Sequence, residues 1–115
     1  MDDSLLIILI FIIAGILEVI QAIPLVLEKI KRNKLYGFRT QKTFSSDEIW
    51  YKANKYVGKD FVFSGIILIV GSLFLLLLKD GISTDEIVLI ELILVFLPLA
   101  LLLIRGFNYL KKLEN

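Results

Sequence analysis

The chain has 115 residues, 57% of them hydrophobic, and its 13 basic and 12 acidic residues leave a formal net charge of +1. Its mean hydropathy of +0.82 exceeds that of a typical soluble domain and indicates a membrane protein with one domain, residues 1–115. The sequence has no cysteine, no histidine and no glycine-rich phosphate loop, and therefore lacks thiolate nucleophiles, imidazole bases and the usual metal ligands; we expect no enzymatic activity, metal or cofactor.

Three apolar segments are long enough to cross the hydrocarbon core of a bilayer, which is about 30 Å thick. They are residues 5–27, 61–78 and 87–104. Asp2 and Asp3 precede the first segment, where a cleavable signal peptide would carry lysine or arginine, so we expect this segment to be a permanent span. The sequence therefore predicts an all-α integral membrane protein with three transmembrane helices.

The first span carries two polar side chains, Glu18 and Gln21, at membrane depth. An ionised carboxylate there costs about 2.5 to 3.5 kcal/mol on insertion scales, so Glu18 should face protein or water, be paired, or be protonated. We favour an interior polar site, for which Arg39 and Arg105 are candidate partners. The alternative is a polar residue that the span tolerates without a function.

Basic residues are distributed unevenly along the chain. Nine of the 13 lie between the first and second spans: Lys29, Lys31, Arg32, Lys34, Arg39, Lys42, Lys52, Lys55 and Lys59. Arg105, Lys111 and Lys112 follow the third span, whereas the turn after the second span holds only Lys79. The positive-inside rule predicts a multi-pass protein of the cell membrane with its N-terminus outside and its loop and C-terminus in the cytoplasm. We expect anionic lipid headgroups to attract the basic loop.

Residues 45–58, between the first and second spans, have the pattern of an amphipathic helix. Ser45 and Glu48 fit a capping box at its start, and we expect the helix to end at Gly58. One side of this helix is apolar and the other carries charges. The apolar side consists of Ile49, Trp50, Ala53 and Val57. We therefore predict an interfacial amphipathic helix at the cytoplasmic face of the membrane.

Asn54 departs from this pattern, because it lies one turn beyond Trp50 on the apolar side. A buried amide needs hydrogen-bond partners, since leaving it unpaired costs about 1 to 3 kcal/mol. Two interpretations remain open: Asn54 is buried and paired, or it lies at the edge of the apolar side and contacts water.

Upstream of this helix, Gly37 permits a turn, and a guanidinium and two hydroxyls follow it at Arg39, Thr40 and Thr43. Such a group can bind a carboxylate or phosphate in a fixed geometry. The alternative is that Arg39 is one more positive charge facing lipid headgroups.

The last two spans carry weaker signals. Gly65 and Ser72 are seven residues apart and line one face of the second span, which favours close helix packing or is ordinary span composition. Ser83 and Glu86 fit a capping pair before the third span. Glu91 lies about one turn inside the outer boundary of this span, and we expect it to reach headgroup water. Pro98 should bend the third span.

The string G-F-R-T-x-x-T, followed after six residues by tryptophan and then by A-N-K-x-x-G, resembles the signature of the SdpI-type family. Its members are related to the immunity protein of the sporulation-delaying toxin system. The matching positions are Gly37, Arg39, Thr40, Thr43, Trp50, Asn54 and Gly58. Pro24 also fits, whereas Gln41 stands where many relatives have proline. The resemblance implies a short, single-module member of a prokaryotic family.

The resemblance implies immunity to a membrane-active peptide toxin, or sensing of that toxin, with a cytoplasmic repressor held at the membrane as a further partner. The loop would then be a signature element and a docking surface. Two other classes remain open: a small transporter or ion-coupled subunit, and a structural subunit of a membrane complex, including a homo-oligomer. In each case the partners are the lipid bilayer and proteins or ions, and we expect no direct contact with nucleic acid.

Overall fold

Three long helices follow one another in the computed structural model, which describes residues 2–113. Helix α1 comprises Asp3–Val26, α2 comprises Asp47–Leu78 and α3 comprises Thr84–Lys112, with short 3-10 helices at Thr43–Ser45 and Lys79–Gly81. These residues contain no strand. All three long helices are long and apolar enough to cross a membrane, which confirms the predicted all-α fold with three spans.

Side chains cap the N-terminus of each long helix and satisfy free backbone N–H groups. The Asp2 carboxylate accepts a hydrogen bond from the Leu5 N–H at 2.7 Å. The predicted capping box of α3 is present. Glu86 Oε1 accepts a hydrogen bond from the Ser83 N–H at 3.3 Å, and Ser83 Oγ accepts one from the Glu86 N–H at 3.1 Å. The prediction for α2 was wrong by one residue. Ser46, not Ser45, accepts from Ile49, because the Ser45 hydroxyl donates to the Lys42 carbonyl.

Helix α2 differs from the prediction, which had an interfacial helix over residues 45–58 and a separate span over 61–78. The structure has one helix of 32 residues, about 48 Å long at 1.5 Å per residue. Gly58 does not end a helix. It lies where α1 approaches α2, and a Cβ at this position would come within 3.1 Å of Val26 and 3.2 Å of Leu25. Because α2 is longer than a bilayer core is thick, its first turns extend beyond the hydrocarbon.

Helix α2 lies at the centre of the bundle, with α1 and α3 packed antiparallel to it. Helices α1 and α2 approach each other closely at Gly15 and Gly65. A Cβ on Gly15 would lie 2.9 Å from the Gly65 carbonyl oxygen, and a Cβ on Gly65 would lie 2.8 Å from the Gly15 carbonyl oxygen. Larger residues at either position would force the two helices apart.

The bundle measures 53 × 23 × 19 Å and has two distinct ends. We call the end that carries residues 27–46 the loop end, and the end that carries residues 79–83 the turn end. Ile8, Leu75 and Ile87 form the core towards the turn end. Ile49, Ala53 and Leu110 form the core at the loop end. Large apolar side chains cover the outer faces of the helices, as expected for surfaces in contact with lipid.

Candidate functional site

At the loop end, residues 27–46 fold against the first turns of α2, and Trp50 is the centre of this contact. Its side chain is fully buried, and its indole N–H donates to the Ile30 carbonyl at 2.7 Å. The Phe44 ring stacks on the indole with 5.6 Å between ring centroids. The Trp50 side chain therefore packs between the loop and the first turns of α2.

Asn54 joins the loop to α2 through its side-chain amide. The residue is buried, and its Oδ1 accepts from the Phe38 N–H at 2.6 Å. Its Nδ2 donates to the Phe38 carbonyl at 3.3 Å and to the Trp50 carbonyl at 3.0 Å. Of the two interpretations left open by the sequence, the buried and paired one is correct. The amide binds the loop backbone as a neighbouring strand would.

Gly37 makes this contact possible, because its backbone φ angle of 112° lies in a region that residues with a side chain rarely adopt. A Cβ at this position would also lie 2.8 Å from Asn54 Oδ1 and 3.2 Å from the Trp50 ring. Both the backbone conformation and the available space therefore require glycine.

Thr40 and Thr43 bind each other instead of an external anion. Thr43 Oγ1 accepts from the Thr40 N–H at 2.7 Å and Thr40 Oγ1 accepts from the Thr43 N–H at 3.1 Å. Thr43 is fully buried. Arg39 is exposed, and its guanidinium donates to the Lys34 carbonyl. The structure does not bring the two hydroxyls and the guanidinium together as one anion site.

The seven residues of the predicted signature lie in one structural unit, which we call the signature cluster: Gly37, Arg39, Thr40, Thr43, Trp50, Asn54 and Gly58. Gly58 contacts the end of α1. Phe38 connects the signature cluster to α3, because its ring packs edge-on against the Phe107 ring with 5.2 Å between ring centroids. Phe38 was not predicted from the sequence as a residue of the site. Its position between Gly37 and Arg39 was the signal available, since the whole string G-F-R-T belongs to the motif.

Ion pairs lie around the signature cluster, and one of them corrects a prediction. Arg105 was a candidate partner of Glu18, but it binds Asp60, with Nε 2.7 Å and Nη2 3.4 Å from the two carboxylate oxygens. Arg39 donates to a backbone carbonyl instead. Among residues 2–113, neither arginine pairs with Glu18, because both lie beyond its depth at the loop end.

A groove of about 360 Å³ separates α1 from α3 next to the signature cluster. It is lined mainly by apolar residues, including Ala22, Leu25 and Phe61. Gln21 also lines the groove, and its carbonyl accepts a hydrogen bond from the Tyr36 hydroxyl. Burial raises the pKa of Tyr36, which keeps this phenol protonated as a donor at neutral pH.

Glu18 lies one turn deeper than Ala22 on α1. Its Oε2 and the Ser64 hydroxyl on α2 are both buried and lie beside each other. Gly65, the neighbour of Ser64, would place a Cβ 3.2 Å from the Glu18 Cβ. Glu18 is thus half-buried, with Ser64 as the adjacent polar group, and the interior polar site stays a prediction.

Glu91 was expected to reach headgroup water, and this expectation was wrong. The residue is fully buried, and Ser72 Oγ lies 2.8 and 2.9 Å from its two carboxyl oxygens. The connection between α2 and α3 covers residues 79–83, so Ser72 and Glu91 each lie about two turns from it and face each other across the antiparallel pair. The short connection between the second and third spans was the available sequence signal, because residues at equal distances from it face each other in an antiparallel helix pair.

Within residues 2–113, no group of three or more aspartate and glutamate side chains is arranged to hold a metal ion.

Comparisons with known proteins agree with the motif in the loop. The family model described as the SdpI/YfhL protein family matches residues 29–106, a range that contains the whole signature cluster. The chain is also similar to a protein named Immunity protein SdpI from Bacillus subtilis (strain 168), with 31% identity over 85 residues. The match covers 74% of this chain and 37% of that relative, so the chain spans well under half of its length. No solved structure matches the chain significantly.

Proposed function

Because the chain belongs to the SdpI/YfhL protein family, a multi-pass membrane family with an immunity protein among its members, we propose that it protects its cell from a membrane-active peptide toxin. The observation that carries this proposal is the signature cluster. The family match contains it entirely, and its buried residues Thr43, Trp50 and Asn54 hold the loop against the end of the bundle. A loop that is fixed in this way is pre-organised, which lowers the entropic cost of binding a partner.

The surface presented by this loop is basic, and Leu35 is its most exposed large apolar residue. Leu35 is 90% exposed, and the Asn33 side chain holds it outward by accepting hydrogen bonds from the N–H groups of Leu35 and Tyr36 at 2.9 and 2.7 Å. Lys34 and Arg39, on either side, are exposed. An exposed leucine between two cations suits an acidic protein partner with an apolar patch.

In the proposed orientation the loop end lies in the cytoplasm and the turn end lies outside. Its support is the charge distribution: 12 of the 13 basic residues are in the loop, the first turns of α2 and the last turns of α3. A soluble regulator would then reach the loop surface directly. We propose that protection requires the loop surface and that the same surface binds such a regulator.

The proposal is tested by expressing the chain in a toxin-susceptible bacterium and challenging it with peptide toxins of the sporulation-delaying kind. Survival above that of cells carrying the empty vector is the expected result. Equal killing of the two strains, with the chain present in the membrane fraction, would refute the immunity function. Membrane recruitment of a labelled repressor, measured with and without toxin, tests the regulator separately.

A further inference from the structure

The groove between α1 and α3 has an apolar floor and an exposed rim. Its volume of about 360 Å³ falls within the range of about 300 to 1,000 Å³ that is typical of small-molecule sites. Buried side chains from all three helices form its floor: Ala22, Leu25, Val57 and Leu102. Leu35 from the loop and Leu103 from α3 form part of its rim, and both are exposed. The groove is therefore accessible from outside the bundle.

This groove lies at membrane depth, at the end of the spans next to the loop. Phe61 is the first residue of the second predicted span, and Leu102 and Leu103 are among the last residues of the third. On α1 the groove extends over residues 21–25, about one helical turn or about 6 Å. Acyl chains surround the bundle at this depth. An apolar groove of this length fits the part of an acyl chain that is nearest to the lipid headgroup.

The loop side of the groove carries positive charge. Residues 35–38 line the groove, and the exposed Lys34 and Arg39 directly flank them. The Arg39 guanidinium donates to the Lys34 carbonyl, so the two residues lie next to each other. Arg32 binds Asp47, whereas neither Lys34 nor Arg39 forms an ion pair with another residue among 2–113. Two adjacent cations that have no carboxylate partner favour an anionic ligand, and phosphate suits both.

The crevice between α2 and α3 lacks this charge. It has a volume of about 190 Å³ and is also lined mainly by apolar residues. Its two charged residues, Asp60 and Arg105, bind each other and neutralise each other. An anionic headgroup would gain little there, so charge distinguishes the groove from the crevice.

We propose that the groove between α1 and α3 binds one phospholipid that has an anionic headgroup. The beginning of one acyl chain occupies the groove, and the phosphate contacts Lys34 and Arg39. Basic pockets between transmembrane helices bind anionic lipid headgroups in this way. The same two cations belong to the surface proposed for an acidic regulator, so the lipid and the regulator would compete for them.

The headgroup preference of the unmodified chain tests the proposal without any substitution. The full chain in detergent is titrated with phosphatidylglycerol or with phosphatidylcholine that has the same acyl chains, and bound lipid is counted by native mass spectrometry. Phosphatidylglycerol should bind with an affinity about tenfold or more higher, because its headgroup carries a net negative charge that both cations attract. Equal affinities for the two lipids would overturn the proposal.

A pair of double variants tests the position of the headgroup. Lys34→Gln/Arg39→Gln should abolish the preference for phosphatidylglycerol. Lys59→Gln/Lys111→Gln removes two exposed cations outside the loop and should retain the preference. A preference that both double variants keep, or that both lose equally, would show that Lys34 and Arg39 do not hold the headgroup.

A second pair of variants tests the position of the acyl chain. Leu103→Trp fills the groove between α1 and α3 and should abolish binding of phosphatidylglycerol at one lipid per chain. Leu101→Trp changes a leucine of similar exposure, 52% against 47%, that lines the crevice between α2 and α3 instead, and it should bind lipid like wild type. Equal lipid binding by the two variants would overturn the proposal. A dimer that only Leu103→Trp dissociates would also overturn it, because a second copy would then occupy the groove. These assays contain only lipid and this chain, so they depend on neither toxin nor regulator.

Discussion

The side-chain amide of Asn54 binds both the N–H and the carbonyl of Phe38, at 2.6 and 3.3 Å. A residue of α2 thereby holds the backbone of a loop that lies 16 positions earlier in the chain. Since Phe38 also packs on Phe107 of α3, this contact connects the loop to two helices at once.

Replacing Asn54 by alanine should release the loop. The change leaves the N–H and carbonyl of Phe38 without partners in a part-buried site, so we expect a loss of about 1 to 3 kcal/mol in the free energy of unfolding. Thermal unfolding in detergent and protease cleavage within residues 27–46 measure the effect. Asn108→Ala, which removes an exposed amide of α3, is the matched control. Equal stability of the two variants would show that the Asn54 amide does not hold the loop.

Gly37→Ala should have a similar effect for a different reason. The new Cβ would be strained at a φ of 112° and would lie 2.8 Å from Asn54 Oδ1, which costs about 1 to 3 kcal/mol. Gly81→Ala is the control, because a Cβ there has no neighbour within 4 Å and its φ is not positive. The same two assays apply, and unchanged protease resistance in Gly37→Ala would contradict the observed turn.

Ser72→Ala should destabilise the bundle by about 1 to 3 kcal/mol, because it leaves the buried Glu91 carboxyl without a partner. Ser64→Ala is the control, since it removes a second buried hydroxyl from α2 and leaves Glu91 paired with Ser72. In the double variant Ser72→Ala/Glu91→Leu the loss should be smaller than in Ser72→Ala alone, because no polar group remains unpaired. Unfolding in detergent measures all three variants. Additive losses in the double variant would show that Ser72 and Glu91 do not interact.

Acid should weaken the contact between the start of α1 and the turn end. The Leu5 N–H and the Lys79 ammonium, 3.0 Å from Asp2 Oδ2, lower the pKa of Asp2 below its ordinary value of 3.8. Because the pKa is lowered in the folded state, the stabilisation is present above 3.8 and is lost as the pH falls through the lowered value. Wild type should therefore be more stable than Asp2→Asn at neutral pH and equal to it in strong acid. A difference that persists at the lowest pH would exclude this carboxylate as its cause.

The spans were predictable from the sequence because long apolar segments have few alternatives to crossing a membrane. The continuity of α2 was not, because Gly58 has the usual appearance of a helix end, and only its contact with Val26 shows why a glycine is there. The motif residues were found as a set, but their roles were not. The Thr43 hydroxyl, for example, accepts a hydrogen bond from the Thr40 N–H. This contact depends on the conformation of the loop backbone, which the periodicity of side chains along the sequence does not predict.

If the loop surface held by the signature cluster carries the protective function, protection should depend on an exposed side chain of that surface, and Arg39 is such a side chain. The residue is exposed, and its guanidinium contacts only a backbone carbonyl of the same loop. Its removal should therefore leave the fold intact. Lys59→Ala removes an exposed cation from α2 outside the loop and is the matched control.

Survival of toxin-challenged cells is measured for wild type, Arg39→Ala and Lys59→Ala at equal membrane abundance. We expect cells with Arg39→Ala to die like cells without the chain, and cells with Lys59→Ala to survive like cells with the wild-type chain. Full protection by Arg39→Ala would contradict this expectation.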